Sequence, residues 1–370
     1  TGDDLYWRRQ FWELPAIGDT WAAMQTPSHG CGIFAGREGV VHRDFLTGHD
    51  HTGVIRGRDV WGQIGVAIDR VGSVSRSLYF GDVFHSLSPV IVPKSPKNRL
   101  AVVTFCLSDE FVEQVRSTKL ALNLSNGYLE KLPFDLDYWQ RAAAKKYPDG
   151  LPEPESDDPT QWLFHGHPYE AEEDAMLHVA VARLLGYRWP AELDDQMRLS
   201  KRARALVKKC GELAKFADND GIVCIPAVRG EDPAADRLLK LLAACDIEPG
   251  VDLDDWLRNG FFEEHCKLFH DRAFIWHIWD GRKRDGFHAL VNYHKLAEGG
   301  GKGRRLLENL TYAYLGEWIR RQKDGVKRGE GGAEDRLAAA VELQSRLKAI
   351  IEGEPPFDIF VRWKPLAEQP

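Results

Sequence analysis

Through its first third the chain sets short apolar runs between glycines and prolines. The runs 31–34, 40–41, 65–68, 77–80, 90–92 and 100–105 are rich in β-branched and aromatic residues. That pattern predicts strands. Ser108 followed by Asp109 and Glu110 predicts a capped helix running to about Lys119, its acidic first turn suiting the helix dipole. A proline-rich, acidic stretch over 147–160 predicts an extended, exposed linker.

Beyond the linker the apolar spacing turns helical. Helices are expected over 171–185 and 199–216, the second basic and amphipathic. A turn at Asp218-Asn219-Asp220-Gly221 leads to a strand over 222–226. Asp232, with Pro233 at the first position, caps a helix to about Ala244, and another begins at Asp252. A long helix over 305–321 and a second over 334–352 are separated by Gly329–Gly332. They predict an antiparallel hairpin, the second helix carrying Leu337, Val341, Leu343, Leu347 and Ile350 as its apolar stripe. These patterns predict an α+β chain: a β-rich module over 1–140, a linker and helix over 141–200, a small helical domain over 201–270, and a Trp/His-rich segment with the hairpin over 271–370. No internal repeat is visible.

The composition is that of a globular protein, 370 residues with 43% hydrophobic and 28% charged. The opening Thr1-Gly2-Asp3-Asp4 and the Pro-rich close at Pro370 read as cuts in a longer polypeptide. No apolar run approaches the roughly 20 residues of a membrane span, so no membrane partner is expected. Six cysteines without a C-x-x-C pair read as reduced thiols of a cytoplasmic protein. The net charge of −7 is uneven. Residues 1–150 hold 17 basic and 17 acidic groups, residues 151–270 hold 14 and 24, and residues 271–370 hold 18 and 15. The acidic middle argues against a phosphate-tracking surface there and leaves the two ends open to one.

The densest chemistry lies in Phe274-Ile275-Trp276-His277-Ile278-Trp279-Asp280-Gly281 and Phe287-His288-Ala289-Leu290-Val291-Asn292-Tyr293-His294. His277, Asp280 and His288 are the best metal trio, and Cys266 with His265 and His270 is a lesser one. Aromatic-rich histidines of this kind are more often packed and hydrogen-bonded, so no metal is expected. Gly299-Gly300-Gly301-Lys302-Gly303 lacks the Ser or Thr of a phosphate loop and reads as a hinge. An amino-methyltransferase needs Asn or Asp before Pro-Pro and an aromatic to grip the flipped base's amino group. The nearest text, Glu354-Pro355-Pro356-Phe357, has Glu instead. It reads as a helix stop before a strand over 359–363.

Several phrases, in order, carry a resemblance: Gln10-Phe11-Trp12-Glu13, Arg58-Asp59-Val60-Trp61-Gly62-Gln63, Leu78-Tyr79-Phe80-Gly81-Asp82-Val83-Phe84, Leu122-Asn123-Leu124 through Leu132-Pro133-Phe134, and Gly221-Ile222-Val223-Cys224-Ile225-Pro226. Together with the Trp/His segment they resemble the region following the catalytic domain in adenine-specific DNA methyltransferases of phage-defence systems. These are the DISARM type or the PglX type of BREX, related to type IIG restriction–modification enzymes.

The resemblance implies a division of labour. An upstream domain would bind S-adenosylmethionine and methylate adenine N6. This chain would recognise double-stranded DNA and assemble with other defence subunits, and by itself would not methylate. Base edges are read by Arg, Asn and Ser side chains, and phosphates are held by Lys and Arg. The implied contacts are Arg56, Arg58, Arg76, Ser77, Tyr79, Lys94, Lys97 and Asn123 in the first module. Lys201, Arg204 and Lys208 follow on the basic helix. A rival expectation is an adaptor that docks protein partners through the Trp-rich segment and the hairpin.

Overall fold

The computed structural model describes residues 7–28, 32–47, 55–70, 74–117 and 126–353. The chain divides into two compact units. One joins Thr1–His165 to Trp189–Ala205, and the other joins Gly166–Arg188 to Leu206–Pro370. Helices and small sheets occur together, as the α+β class requires.

The first unit holds two sheets. β1 (Arg8–Gln10), β2 (Trp21–Gln25), β3 (Gly39–His42) and β6 (Val83–Phe84) form one, in the order β1-β3-β2-β6. β4 (Gly65–Ile68), β5 (Arg76–Tyr79) and β7 (Val90–Ile91) form the other, in the order β5-β4-β7. Alternation along β2 sends Ala22 and Met24 to a core with Val41 and with Leu46 of the short helix α1 (Arg43–Thr47). Val66, Ile68 and Leu78 of the second sheet pack against α2 (Arg99–Cys106), α3 (Asp109–Ser117) and α4 (Leu136–Lys146). Phe105 centres this core, its ring 5.4 Å from Phe111 and 5.3 Å from Trp139. Burying each such ring contributes about 2–3 kcal/mol.

In the second unit α5 (Met176–Leu184) and the end of α6 (Lys201–Cys210) precede β8 (Ile222–Cys224). Then follow α7 (Ala234–Ala243), α8 (Leu253–Asn259), α9 (Phe261–Leu268), and the hairpin of β9 (Ile275–Trp279) with β10 (His288–Asn292). The sheet runs β8-β10-β9, with β10 buried along its length and β9 at an edge. Phe287, Ala289 and Val291 share a core with Leu307, Leu315 and Trp318 of α10 (Lys302–Asn309) and α11 (Leu315–Lys327), and with Leu343 and Leu347 of α12 (Ala333–Glu352). α11 and α12 pair antiparallel, Arg336 Nε donating to Gln322 Oε1 at 2.7 Å and Gln344 Nε2 to the Thr311 carbonyl at 3.1 Å.

Several elements depart from the sequence reading. The run 100–105 is helical, not a strand. Pro96 opens a helical turn ahead of it, and Thr104 Oγ1 donates to the Leu100 carbonyl at 2.7 Å. Five of the eight residues of α2 are buried, so polar positions that would have revealed its period are missing. The stretch 147–160 lacks regular structure but is not all exposed, since Pro154, Ser156, Pro159 and Thr160 are buried. The helix expected over 305–321 is broken by a π-helical turn, Leu310–Tyr314. In α12 the buried face is Ala340, Leu343, Leu347 and Ile351, leaving Val341 exposed. Asp232 does not cap its helix; Pro233 takes the cap position and the Asp232 carboxylate meets Lys240 Nζ at 2.5 Å. The motif 354–357 and the strand expected over 359–363 lie outside the described residues.

Candidate functional site

The first unit has a cavity of about 650 Å³ that opens to the surface. Its walls come from β2, the turn before it, the 80–83 link, Trp162 and the 190–198 loop. Two glycines set this geometry. Gly81 has φ +99°, and a Cβ there would lie 2.5 Å from Gly62 Cα. Only glycine fits, and the close approach lets Gly62 N–H donate to the Gly81 carbonyl at 2.9 Å. Gly36, at φ +81°, would place a Cβ 2.4 Å from the Thr26 carbonyl oxygen. These turns fix Phe80 and Asp82 on one side and Arg37 on the other.

Arg37 is wholly buried. Its guanidinium donates to the Phe34 carbonyl at 2.9 Å and the Leu78 carbonyl at 2.8 Å. It lies 5.3 Å from the Phe80 ring centroid and 5.8 Å from that of Trp162. Its backbone N–H donates to Gln161 Oε1 at 2.7 Å, and its carbonyl accepts from Trp162 N at 3.0 Å. Burial pulls the guanidinium down to about 10, against the opposing pull of Asp82. Burial pushes the Asp82 carboxyl up, offset by Arg37 and by its own backbone N–H. Asp82 Oδ2, Arg37 Nε and Trp162 Nε1 are buried without a hydrogen-bond partner. Such groups are uncommon, because each forfeits its hydration without compensation. At the mouth, the Arg198 guanidinium stacks over Phe80 at 5.1 Å, and Arg43 opens α1.

The residues expected to contact DNA differ in exposure and in what their polar groups already bind. Arg56, Lys94 and Lys97 are exposed. Arg58 is exposed, donates to the Leu46 carbonyl and stacks on Trp61 at 5.6 Å. Arg76 is half-buried and donates to the Ser108 carbonyl, closing the junction between α2 and α3. Ser77 and Tyr79 are corrected out of the set, because both are buried. Ser77 Oγ accepts from Gln25 Nε2 at 3.2 Å, and the Tyr79 hydroxyl donates to the Asp82 carbonyl at 2.6 Å. Arg204 is also corrected, since its guanidinium donates to the carbonyls of Ala191, Asp194 and Met197 and so clamps the loop that walls the cavity. Lys201 and Lys208 are exposed on α6. Asn123 lies outside the described residues.

Sequence reasoning missed Arg37, Asp82, Trp162 and Arg198 as a group. Phe80-Gly81-Asp82 stood in the sequence as a familiar phrase. The signal that could have isolated it is a glycine between an aromatic and an acid at a strand end.

His265, His277 and His288 of the second unit pack and hydrogen-bond within it. His288 Nε2 faces the Arg282 carbonyl at 2.8 Å and must donate, so His288 Nδ1 accepts from His277 Nε2 at 2.9 Å. Both Asp280 oxygens accept backbone N–H groups, from Arg282 and Phe287. Burial, then His288 and Arg258, bring His277 down to about 3. His265 Nε2 accepts from Ile275 N at 3.2 Å, and its ring stacks with Phe261 at 5.3 Å. Burial, then His178, hold it well below the usual histidine range. No group of three or more metal-ligating side chains is gathered among the described residues.

The Asp218–Gly221 turn is a carboxylate network. Asp218 Oδ1 accepts from the N–H groups of Asp220 and Gly221, and Oδ2 from Arg237 at 2.8 Å. Asp220 Oδ2 accepts from Asn309 at 3.0 Å and from the Tyr314 hydroxyl at 3.0 Å, binding the turn to the π-helical segment. Burial and Asp218 push Asp220 up to about 6.

Comparison with models of known protein families gives no match, and comparison with curated proteins gives none either.

Proposed function

We propose that the chain is the DNA-recognition part of an N6-adenine DNA methyltransferase serving a bacterial anti-phage defence system, with methyl transfer from S-adenosylmethionine carried out by another domain. The ordered sequence phrases support this reading. The observation that carries it furthest is the cavity of the first unit, where guanidinium groups and aromatic faces alternate. That combination suits a planar, hydrogen-bonding ligand such as a base better than an apolar one, while Asp19, Asp82, Asp194 and Asp195 offset the three arginines of the lining and leave phosphate to the surface outside it. Exposed Arg56, Lys94 and Lys97 in the same unit supply phosphate contacts.

The test is binding of fluorescent duplex DNA across a salt series. Removing three phosphate contacts together, Arg56→Ala, Lys94→Ala and Lys97→Ala, lowers the slope of log affinity against log salt by about 2–3 and weakens binding without regard to sequence. Unchanged affinity and slope in this folded variant would overturn the assignment. A second reading, partner docking by the second unit, has its own support. Trp279 on the edge strand and Phe262 are exposed aromatics, their rings 6.0 and 6.1 Å from His277. On that reading, salt-tolerant binding to a protein partner is lost in Trp279→Ala.

A further inference from the structure

We propose, resting on the DNA-binding reading, that the second unit carries a phosphate contact of its own, built on the π-helical turn Leu310–Tyr314 and centred on Tyr312. The turn answers a mismatch of phase. Each residue of an α-helix turns about 100°. The buried positions leading into the turn are Gly303, Leu307 and Leu310, and those after it are Leu315, Trp318, Ile319 and Gln322. Wound as one α-helix, the two stripes would point about 100° apart, the turn of one residue. The π turn takes up that difference, Leu315 N–H donating to the Leu310 carbonyl five residues back. A chain one residue shorter would bring the stripes into line without it. Asn309 and Tyr314, which both hold Asp220, would then stand four apart on one face of an ordinary helix. The interior therefore does not require the extra residue.

The surface makes use of it. Tyr312 is 52% exposed, and Lys348 Nζ of α12 lies 5.6 Å from its ring centre. Four residues on, Gly316 is a second local cost. Glycine inside a helix is a poor helix former, and no packing demands it here, since a Cβ would meet nothing within 4 Å. Gly325 differs, because a Cβ there would lie 3.2 Å from that of Ala333. A π turn and an unneeded glycine side by side leave Tyr312 on a flank open to a large partner, the kind of local cost that marks functional surfaces. The charges name the partner. Arg304 and Arg305 are exposed about two turns before Tyr312 on the same helix. Arg304 is held by Glu308 at 3.1 Å, whereas Arg305 and Lys348 meet no carboxylate among the described residues. Of the acids on α12, Glu342 is taken by Arg346, and exposed Glu352 lies one turn after Lys348, so the unpaired cations stay in excess. A tyrosine hydroxyl with two such cations suits the phosphate oxygens of duplex DNA.

The experiment follows binding of fluorescent duplex DNA to the whole chain by anisotropy across a salt series, with thermal unfolding of each variant. Arg305→Ala combined with Lys348→Ala lowers the slope of log affinity against log salt by about 2. Tyr312→Phe, an exposed change that keeps the ring, weakens binding about tenfold without regard to sequence. Deletion of Tyr312 leaves the melting temperature unchanged or raised and costs at least as much affinity as Tyr312→Phe. Affinity and slope that none of these changes moves, in a chain that binds duplex DNA, overturn the inference and spare the DNA-binding reading. A wild-type chain that binds no duplex DNA overturns that reading and the contact with it. A deletion variant that melts well below wild type overturns the account of the turn, and Tyr312→Phe then decides the contact alone.

Discussion

Acidification should loosen the second unit through its buried histidines. His265 is wholly buried and held well below the usual range, and His277 is brought down to about 3. In the unfolded chain both titrate near 6.5. A histidine whose folded value is depressed contributes stability above its unfolded value and loses it as the pH falls, because the unfolded chain takes up the proton first. Between pH 7 and pH 5 His277 removes about 2 kcal/mol, and His265 adds a loss of the same sign. Asp220 works in the opposite sense. Its folded value, about 6, is raised, so the folded chain gains the proton in this window and recovers about 1 kcal/mol at most, discounted for its half-exposed position. His277 and Asp220 together give a net loss of about 1 kcal/mol, which His265 increases, against a typical domain stability of about 5–15 kcal/mol. Urea unfolding at both pH values measures it. His265→Gln retains a side-chain oxygen to accept the Ile275 N–H and cannot titrate, so it should reduce the loss. A pH-independent urea midpoint, or a His265→Gln chain that folds and shows the full loss, would refute the reasoning.

Three further outcomes are expected. Arg204→Ala releases three carbonyls of the 191–197 segment and should lower the stability of the first unit by about 2 kcal/mol. It should leave the salt slope of DNA binding unchanged, whereas a fall of that slope by about one would return Arg204 to the phosphate contacts. Gly81→Ala puts a methyl 2.5 Å from Gly62 and should cost more than about 2 kcal/mol in thermal unfolding, while Ala at Gly127, where nothing lies within 4 Å, costs little. Asp220→Asn keeps a bond to Tyr314 but cannot titrate, and should abolish the pH 5–7 recovery assigned to Asp220; a recovery that persists would assign it to another group.

Much of the second unit was legible because its elements are amphipathic or cleanly capped. The turn 218–221, the strand after it and the helix capped by Asp252 stand where the sequence pattern places them. Asp252 accepts from the Asp254 and Asp255 N–H groups as an N-cap should. The Ser108 cap is also real, its Oγ accepting from Phe111 N at 3.2 Å. The pattern misled where burial is nearly complete. α2 is so enclosed that its helical period carries no polar marks, and a run of Val-Val-Thr-Phe then reads as a strand. The π-helical turn was invisible because its extra residue is stabilised from a distance, by Tyr314 on Asp220. The cavity was illegible for a similar reason. Arg37, Phe80, Trp162 and Arg198 come from four separate stretches of chain, and nothing in their spacing announces that they meet. Ser77, Tyr79 and Arg204 have the right chemistry for DNA contacts, but the fold consumes their polar groups internally.

The division of the chain sets the order in which it can fold as it is made. Each unit is assembled from two stretches that alternate along the polypeptide. The first unit cannot close on the ribosome when residue 165 emerges, because the loop of Trp189–Ala205 that walls its cavity has yet to be made. By then Gly166–Arg188 is already outside, carrying α5 with its buried face uncovered until β8 through α12 are synthesised. The apolar side of α5 therefore stays uncovered while the first unit finishes, and a translation pause shortly after residue 205 would let the first unit finish before the second begins.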